Sequence, residues 1–180
     1  ARGNVTGAKA ISAYGERVAT TAETDQVVWP GGDFAIPDSA GVQMTVVSST
    51  ANDTSDGTGI RTLHIHYLDA SLVPQFETVT LNGTTGVTTT ATDIRFIECM
   101  HLVTAGSGNE ADGDITASNG GTTYSQISAG KNRCSSSMRM VPAGKKFIVV
   151  GAAASSISGT SAASVTVRFV ASQLFDEGFT

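Results

Sequence analysis

The stretch Ile60-Arg61-Thr62-Leu63-His64-Ile65-His66-Tyr67 alternates polar and apolar side chains from Thr62 onward. In an extended strand successive side chains point to opposite faces, so Leu63, Ile65 and Tyr67 share one face and Thr62, His64 and His66 share the other. The first face belongs in a core. The second is wet or lies against another subunit. Nowhere does the chain hold apolar residues at helical i, i+3, i+4 spacing for three turns, so helix is at most a minor element.

Outward from this strand the same two-residue period recurs. Phe76-Glu77-Thr78-Val79-Thr80-Leu81 leads into Asn82-Gly83, a favoured two-residue hairpin turn, and then into Val87-Thr88-Thr89-Thr90. Further strands are expected at 27–29, 42–48, 94–103, 114–117, 124–127, 136–141, 147–153 and 164–171. Turn-forming clusters separate them: Pro30-Gly31-Gly32, residues 52–59, residues 105–113, Ser118-Asn119-Gly120-Gly121 and Pro142-Ala143-Gly144. Short strands at this spacing predict an all-β, single-domain antiparallel β-sandwich, with a jelly roll as first choice. The expected organisation is an extended N-terminal arm over 1–25, the sandwich over 26–172 and a C-terminal tail over 173–180.

Composition points the same way. The 180 residues suffice for one domain with a real core. Charged residues make up only 15%, against a usual figure of roughly 25%, and Thr, Ser and Gly take their place. Threonine's branched Cβ suits a pleated surface. The net charge of −5 and the lack of a Lys/Arg cluster argue against nucleic acid as a partner. No apolar run reaches the ~18 residues of a membrane span. The opening Ala1-Arg2-Gly3-Asn4 lacks an apolar signal segment and suggests a processed initiator methionine, hence synthesis in the cytoplasm. Cys99 and Cys134 are too few for a disulfide framework and are expected to be buried free thiols.

Among residues that could carry chemistry, His64 and His66 come first, because an H-x-H pair on one strand projects both imidazoles from one face toward a single metal ion. The arrangement is similar to the first motif of the cupin family, with Gly59 ahead of it. Asp69, however, stands one position early and is of the wrong type for the glutamate ligand. Pro142-Ala143-Gly144 looks like the second cupin turn, but Lys145, Lys146 and Phe147 occupy the place of its histidine, and His101 falls in a different predicted strand. The expectation is therefore no bound metal and no cofactor, with His64 and His66 as outer-face or subunit-contact residues.

Asn109, Glu110, Asp112 and Asp114, and likewise Asn52, Asp53 and Asp56, are read as turn formers rather than calcium ligands, since the full calcium-loop order is missing. No G-x-S-x-G elbow, Walker loop or H-E-x-x-H is present, and Ser135-Ser136-Ser137 has no histidine nearby in sequence. No catalytic residue is assigned. Tyr14, Trp29, Phe175 and Phe179 are candidate interface anchors, Trp29 serving equally well as a core plug.

Four stretches, in order, resemble a family of virion structural proteins of tailed phages, especially marine ones. They are Val47-Ser48-Ser49-Thr50-Ala51-Asn52-Asp53-Thr54 continuing to Gly57-Thr58-Gly59-Ile60-Arg61-Thr62; Glu77-Thr78-Val79-Thr80-Leu81-Asn82-Gly83-Thr84-Thr85; Gly113-Asp114-Ile115-Thr116-Ala117; and Val141-Pro142-Ala143-Gly144-Lys145. His64, His66, Cys99 and Met100 depart from the family pattern. The resemblance spans about residues 26 to 150 and implies a non-enzymatic particle component. The function expected is that of a capsid decoration or cement protein on the head surface, partnered by the major capsid protein and by copies of itself as a dimer or trimer. The alternatives are a tail or fibre-attachment component, a carbohydrate- or receptor-binding sandwich, and, ranked lower, a cupin-like metalloenzyme.

Overall fold

The computed structural model describes residues 13–17 and 28–146, all but the last within one compact unit, Ala1–Lys145. Seven strands are found there: β1 (Thr45–Ser48), β2 (Ile60–Leu68), β3 (Pro74–Thr80), β4 (Val87–Thr88), β5 (Phe96–Ala105), β6 (Ile115–Asn119) and β7 (Thr122–Ile127). They form two antiparallel sheets, ordered β4-β1-β6-β7 and β3-β2-β5. The domain is all-β and sandwich-like. Its seven described strands are one fewer than the eight of a jelly roll.

Both sheets bury one face in a common core. Val46 of β1 and Ile115 and Ala117 of β6 meet Leu63, Ile65 and Tyr67 of β2, Val79 of β3 and Met100 of β5. Alternation in β2 falls as its sequence requires: Leu63 and Ile65 are fully buried while His64 and His66 are half-buried. A second cluster places Leu68, Phe96 and Met140 under Phe34, Ile36, Leu72 and Met138. Trp29 extends it. Its ring meets Phe34 edge-on at 5.9 Å and its indole N–H donates to the Gly32 carbonyl at 2.7 Å.

β6 and β7 are joined by Gly120-Gly121, whose φ angles of 57° and 84° are those a tight two-residue hairpin demands. Asn82-Gly83 behaves differently. It forms a turn, with the Thr85 N–H donating to the Asn82 carbonyl at 3.0 Å, but it does not close the expected hairpin. β3 pairs with β2 and β4 pairs with β1, so the chain changes sheets at this turn. The physical reason lies in what the turn bonds to. The Gly83 N–H donates to the Asp53 carbonyl at 2.8 Å and the Gly83 carbonyl accepts from Ser48 N–H at 3.0 Å, contacts that draw the chain toward β1.

Among the described residues, two expected strands, at 27–29 and 136–141, are not formed. Val28 and Trp29 lie in a bend that the indole–Gly32 bond folds back. Residues 136–141 contribute a single bridge, Tyr14 to Ser136; there the Ser136 hydroxyl accepts from Met138 N–H at 3.3 Å, a local bond that competes with a ladder. The strands expected at 147–153 and 164–171, and the tail at 173–180, lie outside the described residues.

The cysteines are not free thiols: Cys99 and Cys134 form a disulfide. Residues 132–134 run antiparallel beside β5, with Leu102 N–H donating to Asn132 C=O at 2.8 Å and Cys134 N–H to Met100 C=O at 2.9 Å. This brings the two Cα atoms to 5.6 Å, inside the span a disulfide bridges.

Candidate functional site

The outer face of the β3-β2-β5 sheet carries an unusual group of side chains. β2 is the central strand, and its register sets His64 between Thr78 of β3 and His101 of β5, with His66 between Phe76 and Cys99. His101, 35 residues from His66 in sequence, is thus the direct cross-strand neighbour of His64. All three histidines of the chain meet at this one place.

The rings are in mutual contact. His66 and His101 stack with centroids 5.0 Å apart and planes 16° from parallel; His64 meets His101 edge-on at 5.5 Å and His66 at 6.0 Å. Phe76 flanks the group, 5.6 Å from His64 and 6.1 Å from His66. One ring nitrogen from each histidine can be chosen so that the three lie within 4.8 Å of one another. Beneath them, the buried Leu63, Ile65 and Met100 anchor the backbones of β2 and β5.

Partial burial lowers the His101 pKa below the usual imidazole value, and the neighbouring His66, His64 and Arg133 lower it further. Arg133 sits opposite His101 on the far side of β5. Beside the cluster runs an open groove of about 610 Å³, lined by His66, Glu98, His101, Asn132, Arg133 and Arg139 among others. Phe76 is 65% exposed, and Val73 and Val103 are partly exposed.

The other residues singled out in the sequence find structural employment. Asp69 closes the β2–β3 turn: its Oδ1 accepts from Ser71 N–H at 2.9 Å and Val73 N–H at 3.0 Å, and its Oδ2 from the Gln75 side chain at 3.1 Å. These bonds, the Val73 one foremost, hold its pKa below the usual carboxylate value. Pro142-Ala143-Gly144 is a turn whose Ala143 N–H donates to Leu72 C=O at 3.0 Å. Asp112 accepts from the Thr58 hydroxyl at 2.6 Å and Asp114 from Ala129 N–H at 2.9 Å. Among the described residues, the acidic side chains form no group that could hold a metal ion.

Asp53 is the chief stitch of the fold. Fully buried, its carboxylate accepts from the Ser48 hydroxyl at 2.6 Å and from the backbone N–H groups of Ile60, Asp112 and Gly113 at 2.8, 3.1 and 3.0 Å. Gly59 passes so close that a Cβ there would overlap Asp53 Oδ1. Reading the sequence as turn formation identified the residue type here but not this role.

Two of the three serine hydroxyls are bound to backbone: Ser137 donates to Val28 C=O at 3.2 Å and Ser136 accepts from Met138 N–H. Trp29 is 1% exposed, a core plug within its own unit, whereas Tyr14 is 69% exposed. Phe175 and Phe179 lie outside the described residues. Sequence reasoning put His64 and His66 on one face but left His101 apart, because the pairing of β2 with β5 is a long-range choice. Comparison of the chain with protein-family models, with curated proteins and with solved structures finds no match among any of them.

Proposed function

We propose that this chain is a non-enzymatic structural component of a tailed-phage particle, specifically a capsid decoration or cement protein on the outer surface of the head shell. One observation carries the reading. Of the four stretches that resemble such proteins, the first three meet around one buried residue, Asp53. Its carboxylate accepts from Ser48 and Ile60 of the first stretch and from Gly113 of the third, and its backbone carbonyl accepts from Gly83 N–H of the second. The stretches that carry the resemblance thus lie at hydrogen bonds that join the turns of the fold, and this is what supports the reading.

Two further features support it. The outer sheet face offers an apolar contact surface in Phe76, 65% exposed, with Val73 and Val103 partly exposed. The Cys99–Cys134 disulfide suits an oxidising setting, of which virion surfaces are one. Repetition over many copies of a particle makes weak single contacts effective.

Add-back to isolated particles tests the proposal. Purified protein should bind saturably to isolated heads stripped of it and not to isolated tails. Saturable binding to tails alone, or to neither, would remove the decoration role.

A further inference from the structure

We propose that His64, His66 and His101 form a binding site for one divalent transition-metal ion, with zinc the first candidate. The proposal stands on the geometry of the outer face and does not depend on the virion reading. Its first support is placement. The chain has three histidines in 180 residues, drawn from two strands, and the fold brings all three into mutual contact.

The second support is distance. Zinc takes imidazole nitrogens at ≈ 2.0–2.1 Å in tetrahedral geometry, so two ligand nitrogens sit about 3.3 Å apart. The three candidate nitrogens already lie within 4.8 Å of one another. Closing the widest gap requires each nitrogen to move by under about 1 Å, a shift within reach of χ1 and χ2 rotation on fixed backbones. Those backbones are well held: β2 is hydrogen-bonded on both sides, by β3 and β5, and packed from below by the core. Ligands mounted on strands keep their geometry better than ligands on loops.

The third support is donor chemistry. An all-imidazole set suits zinc, copper, nickel or iron, and is unsuited to magnesium or calcium, which want oxygen. With Cys99 held in a disulfide, no thiolate competes. Three protein ligands leave a fourth position open, and the groove beside His66 and His101 gives water or a small anion access to it. Arg133 opposes a cation here, while Glu98 on the same groove works in the other direction.

The test uses the untagged full-length chain, stripped with chelator and titrated with zinc by calorimetry. One ion per chain is expected. In parallel the ring resonances of the three histidines, assigned by NMR, should move together and saturate at one equivalent. His101→Ala should weaken binding by at least ~100-fold, more than the 10- to 100-fold typical of losing a hydrogen-bonding partner behind a ligand. Unmoved imidazole resonances at excess zinc would overturn the proposal, and so would a folded His101→Ala chain that binds zinc as tightly as the parent. Because the resonance experiment uses the unsubstituted protein, the proposal stays open to refutation even if the variant fails to fold.

Discussion

Replacing Asp53 by Ala should be among the most damaging single changes available in this domain. The carboxylate accepts four hydrogen bonds while fully buried. Its removal strands the N–H groups of Ile60, Asp112 and Gly113; the Ser48 hydroxyl can rotate away. An unsatisfied buried donor costs about 1–3 kcal/mol, so the two buried ones, of Ile60 and Gly113, would cost roughly 2–6 kcal/mol if nothing relaxed, with the part-buried Asp112 N–H adding less. Water entering the vacated space recovers part of this, leaving a loss of about 2–5 kcal/mol. We take that range as the expected loss, which is a third or more of the total stability of many domains. Asp53→Asn keeps the volume but turns one acceptor into a donor facing other donors, and should cost about 2 kcal/mol. Urea unfolding followed by Trp29 fluorescence measures both. Gly59→Ala supplies an independent check, since its Cβ would press on the same carboxylate, and it should destabilise in parallel. A loss under about 1 kcal/mol for Asp53→Ala would refute the reasoning, because the buried N–H groups of Ile60 and Gly113 cannot both lose their acceptor that cheaply.

Other expectations follow from the same geometry. Opening the disulfide with a Cys99→Ser/Cys134→Ser pair releases a closed loop of 35 residues' separation, which the chain-entropy relation values at about 4 kcal/mol; a denaturation midpoint unchanged from the parent would argue that the denatured chain is already constrained there. Because His101 has its pKa lowered by partial burial and by His66, His64 and Arg133, the unfolded chain binds the proton more readily than the folded one. Stability should therefore be level above the ordinary imidazole pKa of about 6.5 and fall as pH drops from there through the folded value. His101→Gln should flatten that slope, and an unchanged slope would assign it to other groups. Deleting residues 1–20 removes the Tyr14–Ser136 bridge and the exposed Glu16–Lys131 pair at 3.2 Å, a loss of about 1 kcal/mol. The truncated chain should stay folded yet attach less well to particles, and full occupancy without the arm would deny it a role in attachment.

What the sequence made legible was local. The alternation in Thr62–Tyr67 fixed which side chains of β2 enter the core, and Gly120-Gly121 marked a true hairpin, because both depend on residues adjacent in the chain. Long-range choices were hidden. Asn82-Gly83 carries the same local signal as a hairpin, yet its backbone bonds go to Ser48 and Asp53 some thirty residues earlier, and the chain leaves one sheet for the other. Cys99 and His101 were read apart from Cys134 and His64 for the same reason. The pattern in β5 is blurred by a bulge opposite His66 and Tyr67, so alternation alone did not reveal that His101 shares the outer face. The acid-rich stretches lie in turns, but only the fold distinguishes Asp53, which binds four donors, from its exposed neighbours.

The copy number of this chain in purified particles, measured by quantitative mass spectrometry against the major shell protein, tests the central claim most directly. A decoration or cement protein should be present at a number comparable with the shell protein itself, in a simple ratio set by the shell's symmetry. A few copies per particle would move the protein to the tail or neck, and its absence from purified particles would contradict a structural role in the virion.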